Sequence, residues 1–260
     1  MTNENDRTGS DKASWIDGAR DIGLLLSPGQ ISQFGRLQTE LLDWNKRMNL
    51  TAITDPAAVQ SRHFLDSLSI VASLVGNLPI SDFAGRILDV GSGGGIPGVP
   101  LAIVLPRAPV TLLEATQKKC RFLEHAIAVL DLTNTSVACG RAEDLAHQPA
   151  LRETFDVVVV RAVARLPTLV ELCLPFLRVG GRLIAMKKVG VDAEIDAANS
   201  MAALVGGRLL TPVVVRVPIL GEDRLLVTFE KSEQTPRQYP RRAGLPGKSP
   251  LAASPKSRNH

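Results

Sequence analysis

The chain has 260 residues, 45% hydrophobic and 22% charged, which is the composition of a soluble globular protein with a full-sized core. Thirty Lys and Arg against 26 Asp and Glu leave a net charge of +4, which permits a nucleic-acid partner without demanding one. Aromatic residues make up 4%, with a single tyrosine, and this argues against a surface that stacks bases on rows of aromatics. Cys120, Cys139 and Cys173 contain no Cys-x-x-Cys pair, so they read as reduced core thiols rather than a disulfide framework or a zinc site. No metal is expected. The start, MTNENDRTGSDK, lacks the apolar region of a signal peptide. No apolar run approaches the ~18 residues of a membrane span. The expectation is a soluble, cytoplasmic protein without membrane association, taken as a monomer.

Residues 1–13 are polar and expected to be disordered. Residues 14–85 read as a helical extension, and residues 1–85 together carry 7 basic and 10 acidic groups. Ser27-Pro28-Gly29-Gln30 has the form of a capping box with proline at the first helical position. Ile31, Phe34, Leu37, Leu41, Trp44 and Met48 then mark one apolar helix face. Thr54-Asp55-Pro56 starts a second helix, continued by Phe64, Leu65, Leu68 and Val71.

From Arg86 the period changes. The runs RILDV, TLLEA, SVACG, DVVVV and GRLIAMK are apolar without polar alternation, as in strands buried on both faces of a parallel sheet, and helical stretches separate them. RLLTPVVVRV and DRLLVTFEK follow without a helix between them and read as an antiparallel hairpin at the sheet edge. Residues 86–233 are therefore expected to form a seven-stranded, doubly wound α/β domain. Residues 234–260 carry six basic groups, no acid and five prolines, and read as an extended basic tail, either a solvated, disordered end or one that holds RNA phosphates.

The first strand runs into Asp89-Val90-Gly91-Ser92-Gly93-Gly94-Gly95-Ile96-Pro97-Gly98. Glycines at this place let a ligand approach the backbone. Gly93-x-Gly95-x-x-Gly98 matches a dinucleotide pattern but starts late. Asp89-x-Gly91-x-Gly93 starts at the strand tip, where a carboxylate repels a pyrophosphate and suits a ligand bearing an ammonium and a sulfonium, as S-adenosyl-L-methionine does. Glu114 ends the second strand, where either cofactor class places an acid on the ribose. Arg161 ends the fourth strand at the same edge, and Lys187 the fifth. Arg62, His63 and Asp66 share a helix face, as either a surface pair with a helix-end histidine or a pocket wall. Asp144 reads as a helix cap. Two other functions stay open: a nicotinamide-dependent oxidoreductase, and a non-catalytic RNA-binding factor that keeps the fold as a scaffold.

The chain resembles the bacterial 16S rRNA guanine-N7 methyltransferases, the RsmG/GidB family. The resemblance rests on WNKRMNLTAI (44–53), RHFLDSL (62–68), DVGSGGGIPGVPLAI (89–103), GRAED (140–144) and VVVVRAVARL (157–166). It implies a Rossmann-like class I S-adenosylmethionine-dependent methyltransferase acting on 16S rRNA or the small ribosomal subunit. It also implies cofactor contacts at Gly91, Ile96, Ala142, Glu143 and Arg161, beside the Asp89, Gly93 and Glu114 read from the residues. Guanine N7 has no proton to lose, so no general base is expected, and positioning falls to Arg161 with His63 and Asp66. Lys187, Lys188, Arg241 and Arg242 are the expected RNA contacts. The family usually has glycine after the lysine of the fifth strand, and here Lys188 follows Lys187.

Overall fold

The structure, a computed structural model, describes residues 15–251. The expectation for residues 1–13 therefore lies outside the described residues, as do Lys256 and Arg258 of the tail. The N-terminal part holds α1 (15–21) and α2 (Pro28–Asn45). The capping box is formed: Ser27 Oγ accepts the Gln30 N–H at 3.2 Å, and Gln30 Oε1 accepts the Ser27 N–H at 2.9 Å. The next helix, α3, is capped by the Asp55 carboxylate on the Ala58 N–H. It is α-helical over Pro56–Val59, widens to a π-helix over Gln60–Leu65, and closes again over Asp66–Leu68. A short α4 (Val71–Val75) completes the extension. Trp15, Phe34 and Phe64 pack edge-on or tilted, with centroids 5.1–5.9 Å apart, and lock α1, α2 and α3 together.

The α/β part alternates β1 (Ile87–Val90), α5 (Gly98–Val104), β2 (Val110–Glu114), α6 (Gln117–Val129), β3 (Thr135–Cys139), α7 (Ala142–Leu145), β4 (Phe155–Arg161), α8 (Leu166–Cys173), β5 (Leu177–Lys188) and α9 (Asp192–Ala202). Then come β6 (Gly207–Leu209), β7 (Val213–Val215), β8 (Arg224–Lys231) and α10 (Leu245–Lys248). The sheet order is β3-β2-β1-β4-β5-β8-β6. β1 to β5 are parallel, and β8 inserts antiparallel to β5. The run expected as one edge strand, RLLTPVVVRV, is broken. β6 and β7 both pair with β8 but are separated by Leu210–Pro212, because proline has no N–H for the ladder. The sheet thus has eight strands, the last edge position being shared by two short ones.

Two apolar layers cover the sheet. One packs the N-terminal helices with α5 and α6; the other packs α7, α8 and α9. The strand order reverses between β1 and β4, which opens a crevice at their carboxyl ends. α3 lies over that crevice and supplies side chains to it.

The cysteine expectation is corrected. Cys120 on α6 and Cys139 at the end of β3 are joined as a disulfide, with Cα atoms 6.0 Å apart. The helix returns to the strand beside it, so 19 residues of sequence separation vanish in space. Cys173 alone is a free buried thiol.

The tail is corrected as well, because residues 235–249 are strapped to the α/β part. Glu171, fully buried on α8, accepts the Arg241 backbone N–H at 2.9 Å and two guanidinium bonds at 2.8 and 2.7 Å. Arg152 donates to the carbonyls of Thr235 and Tyr239, and Thr168 donates to that of Pro246. Lys231, also fully buried, donates to the Leu174 carbonyl and Thr235 Oγ1. Arg241 is therefore an internal anchor, its Nε and Nη2 both committed to Glu171. Arg242 is exposed.

Candidate active site

At the tip of β1 the chain turns through Gly91, at φ +74°. A Cβ there would lie 2.6 Å from the Val163 side chain, so both the backbone sign and the packing require glycine. Asp89, expected as a cofactor contact, points beneath the loop instead. It is 1% exposed, and Oδ2 accepts the Gly98 N–H at 2.9 Å. Its Oδ1 is buried without a partner, and burial pushes the carboxyl up to about 7. Gly98 is bound to this arrangement, since a Cβ would meet Leu112 and Asp89 at 2.3 and 2.7 Å. Asp89 anchors the loop and does not line the cavity above it.

That cavity, about 200 Å3, is walled by Gly91, Gly93 and Ile96 from the loop, Thr51 and His63 from the N-terminal part, and Arg161 from β4. Glu114 adjoins the loop: Oε2 accepts the Gly93 N–H at 3.0 Å and Oε1 accepts the Thr116 N–H at 2.7 Å. Ala142 and Glu143 begin α7, past the end of β3, and do not wall this cavity. The Glu143 carboxylate is engaged by the tail, accepting the Gly244 N–H at 2.8 Å.

Arg161 is held from three directions by α3. Nη1 donates to the Arg62 carbonyl and to Asp66 Oδ2, each at 2.8 Å, and Nη2 donates to His63 Nδ1 at 2.9 Å. The π-helical turn lets residues 62, 63 and 66 converge on one guanidinium. A guanidinium has no acceptor, so His63 Nδ1 accepts, and the neutral ring carries its proton on Nε2, 2.7 Å from Thr51 Oγ1. Nδ1 also lies 3.3 Å from the Arg62 carbonyl, a contact that would need a proton there and that the closer arginine excludes. Burial, followed by the Arg161 charge, lowers the His63 pKa to about 4. Immediately after Arg161, Ala162 sits at φ +56°, an uncommon conformation for a residue with a Cβ.

A second cavity of about 400 Å3 shares His63, Arg161 and Ala162 with the first and continues to Met186, Lys188, Glu222 and Arg224. Asp66 is 3% exposed between the two arginines, with Arg224 Nε on its other oxygen. Lys187 also lines this cavity, with its ammonium engaged: Nζ donates to the Ala164 carbonyl at 2.9 Å and lies 3.2 Å from Glu194. It ties the segment after Arg161 to α9. Lys188 is exposed beside Glu222.

The structure thus brings Gly91, Gly93, Ile96, His63, Asp66 and Arg161 together, keeps Lys187 on the wall of the larger cavity with its ammonium engaged, and leaves Asp89 and Arg241 turned away. Thr51, Glu222 and Arg224 were missed. Thr51 lies within the WNKRMNLTAI segment, so that motif carried the signal for it. Glu222 and Arg224 sit at a strand start that sequence pattern assigns only to a hairpin. Asn45 is a turn cap, accepting from the Leu50 and Thr51 N–H groups. Among the described residues there is no group of three or more His, Cys, Asp or Glu side chains that could hold a metal, and no helix is long and apolar enough to cross a membrane.

The chain is similar to a crystal structure of a MtNAS mutant in complex with S-adenosylmethionine, with a TM-score of 0.51 and 18% identity over 76% of this chain and 73% of that one. At that identity the likeness establishes the fold. Closer likeness comes from sequence. The ribosomal RNA small subunit methyltransferase G of Dehalococcoides mccartyi (strain CBDB1) is 46% identical over 237 residues, 91% of this chain and 98% of that protein. That of Roseiflexus castenholzii is 45% identical over 90% of this chain and 97% of that protein, and that of Geobacillus kaustophilus 41% over 88% and 94%. Residues 30–218 match the GidB family model, described as rRNA small subunit methyltransferase G. With the glycine loop, the clamped arginine and nearly full-length identity in agreement, the chain belongs to the GidB family, the rRNA small subunit methyltransferases G.

Proposed function

We propose that the protein transfers a methyl group from S-adenosyl-L-methionine to N7 of a guanosine in 16S rRNA, in the cytoplasm. The observation that carries this reading is the pair of joined cavities with Arg161 on their shared wall, in a chain of this family. The smaller cavity fits the methionine end of the cofactor. Its floor is glycine backbone, Ile96 gives an apolar wall, and Arg161 offers a cation to a carboxylate. Glu114, beside Gly93, is placed for ribose hydroxyls, and the backbone at Ala142–Glu143 is left for the adenine side, the Glu143 side chain being occupied. The larger cavity takes the acceptor base.

The cofactor supplies an electrophilic methyl on a sulfonium. The N7 lone pair forms the new C–N bond as the C–S bond breaks, and no proton leaves N7. The residues agree with a reaction that needs no base. His63 is neutral, and its one basic nitrogen is occupied by Arg161. Its role, with Asp66 and the Arg62 carbonyl, is to fix the guanidinium, so that catalysis rests on alignment of N7, carbon and sulfur. The exposed cations Arg62 and Arg242 are the proposed phosphate contacts. Unmodified small subunits incubated with methyl-labelled S-adenosylmethionine test the reading. Label entering 16S rRNA is the expected result; label on protein alone, or none, overturns it.

A further inference from the structure

The larger cavity holds two carboxylates of different standing. Asp66 is buried with both oxygens taken by arginines. Glu222, in the loop before β8, has a side chain that is 40% exposed. Its Oε1 lies 2.8 Å from Arg224 Nη1, off the line of a good hydrogen bond, and its Oε2 lies 3.0 Å from Lys188 Nζ. A carboxylate has about four lone-pair sites, so each Glu222 oxygen can accept a further donor. Arg224 and then Lys188 hold this carboxyl below its usual range, and it is ionised and acceptor-only at neutral pH.

The placement matters. Arg161, His63 and Ala162 form the wall shared with the smaller cavity, whereas Glu222, Lys188 and Arg224 line only the larger one. A purine that turns N7 toward the shared wall turns its Watson–Crick edge away from it. We propose that Glu222 is a specificity-determining residue that reads that edge, accepting hydrogen bonds from guanine N1–H and the exocyclic N2 amino group. The proposal rests on the guanine-N7 reading above. Guanine is the base that offers two adjacent donors there. Adenine would set its N1 lone pair against the carboxylate, so the same contact that accepts from guanine opposes adenine. Lys188, beside the same carboxylate, supplies a donor for O6, the neighbour of N1.

The test uses the full chain and small subunits assembled with either guanosine or inosine at the target. Inosine keeps N7, O6 and N1–H but lacks the N2 amino group. The wild type is expected to lose roughly tenfold in kcat/KM on inosine, the scale of one specific base contact. Glu222→Ala is expected to fall roughly 10- to 100-fold on guanosine and to show no further loss on inosine. Glu222→Gln, which keeps size and one acceptor, should fall between them. Affinity for S-adenosylmethionine, measured by calorimetry, should match the wild type in both variants. A variant that slows equally on both acceptors while keeping the wild-type guanosine preference shows a structural role through Arg224 and overturns the proposal, as does a wild type indifferent to inosine. Failure of the wild type to methylate N7 of guanosine overturns the underlying reading instead, and is visible before any variant is made.

Discussion

Replacing Arg241 by methionine separates an anchor from an RNA contact. Glu171 is fully buried and receives three hydrogen bonds from Arg241, two of them from the guanidinium. Arg241→Met leaves that carboxylate one backbone N–H. Removing one partner of a buried ion pair costs about 3–5 kcal/mol. The Arg241 side chain is 23% exposed, so water reaches it in part and the lower end applies, about 3 kcal/mol. For a chain of this size 1 kcal/mol moves Tm by about 2–4 °C, so calorimetry should show a drop of roughly 6–12 °C. The double change Glu171→Leu with Arg241→Met removes both charges and should recover most of it. In the folded single variant, the salt dependence of RNA binding should keep its wild-type slope. A Tm within about 2 °C of wild type, combined with a slope reduced by about one, would return Arg241 to the phosphates and refute the strap.

Other consequences are more local. Arg161→Ala should reduce methyl transfer by at least about 100-fold with the fold intact by circular dichroism, and Arg161→Lys should not rescue it, since one ammonium cannot reach Asp66, His63 and the Arg62 carbonyl together. His63 has its folded pKa depressed to about 4 from 6.5, so its contribution to stability is complete above pH 6.5 and is lost as pH falls through 4. Activity should therefore stay flat across pH 6 to 8, and a His63-dependent titration near 6.5 would contradict the neutral clamp. Asp89 has the opposite sign. Its folded pKa is raised to about 7, so its contribution is greatest below pH 4 and is lost as pH rises through 7. Asp89→Asn should raise Tm at pH 8 relative to wild type and flatten this dependence, and an equal or lower Tm at pH 8 would argue that the ionised carboxylate is well solvated by the loop.

Local signals in the sequence were strong wherever one residue type has one structural use. The five apolar runs mark β1 to β5 because a parallel strand buried on both faces has no room for polar alternation. Ser27 and Gln30 announce the start of α2, and Gly91 the turn at the crevice. Arg161 is legible because four valines leave nothing else at the tip of β4. What stays hidden depends on partners distant in sequence. Glu171 and Arg241 look like surface charges until 70 residues are folded together. The tail's prolines and bases suggest a solvated end, yet its carbonyls find Arg152. Cys120 and Cys139 are brought together only by the return from α6 to β3. The π-turn that gathers Arg62, His63 and Asp66 departs from the 3.6-residue period that a sequence reading assumes. The break at Pro212, by contrast, was visible in principle, since proline inside a strand run signals an interruption.

The central claim is the chemical identity of the product. Unmodified small subunits, methylated by this protein and digested to nucleosides, should yield one new species, 7-methylguanosine, from a single position in a loop of 16S rRNA. Methyl groups recovered on adenine, on cytosine, or on another atom of guanine would contradict the account.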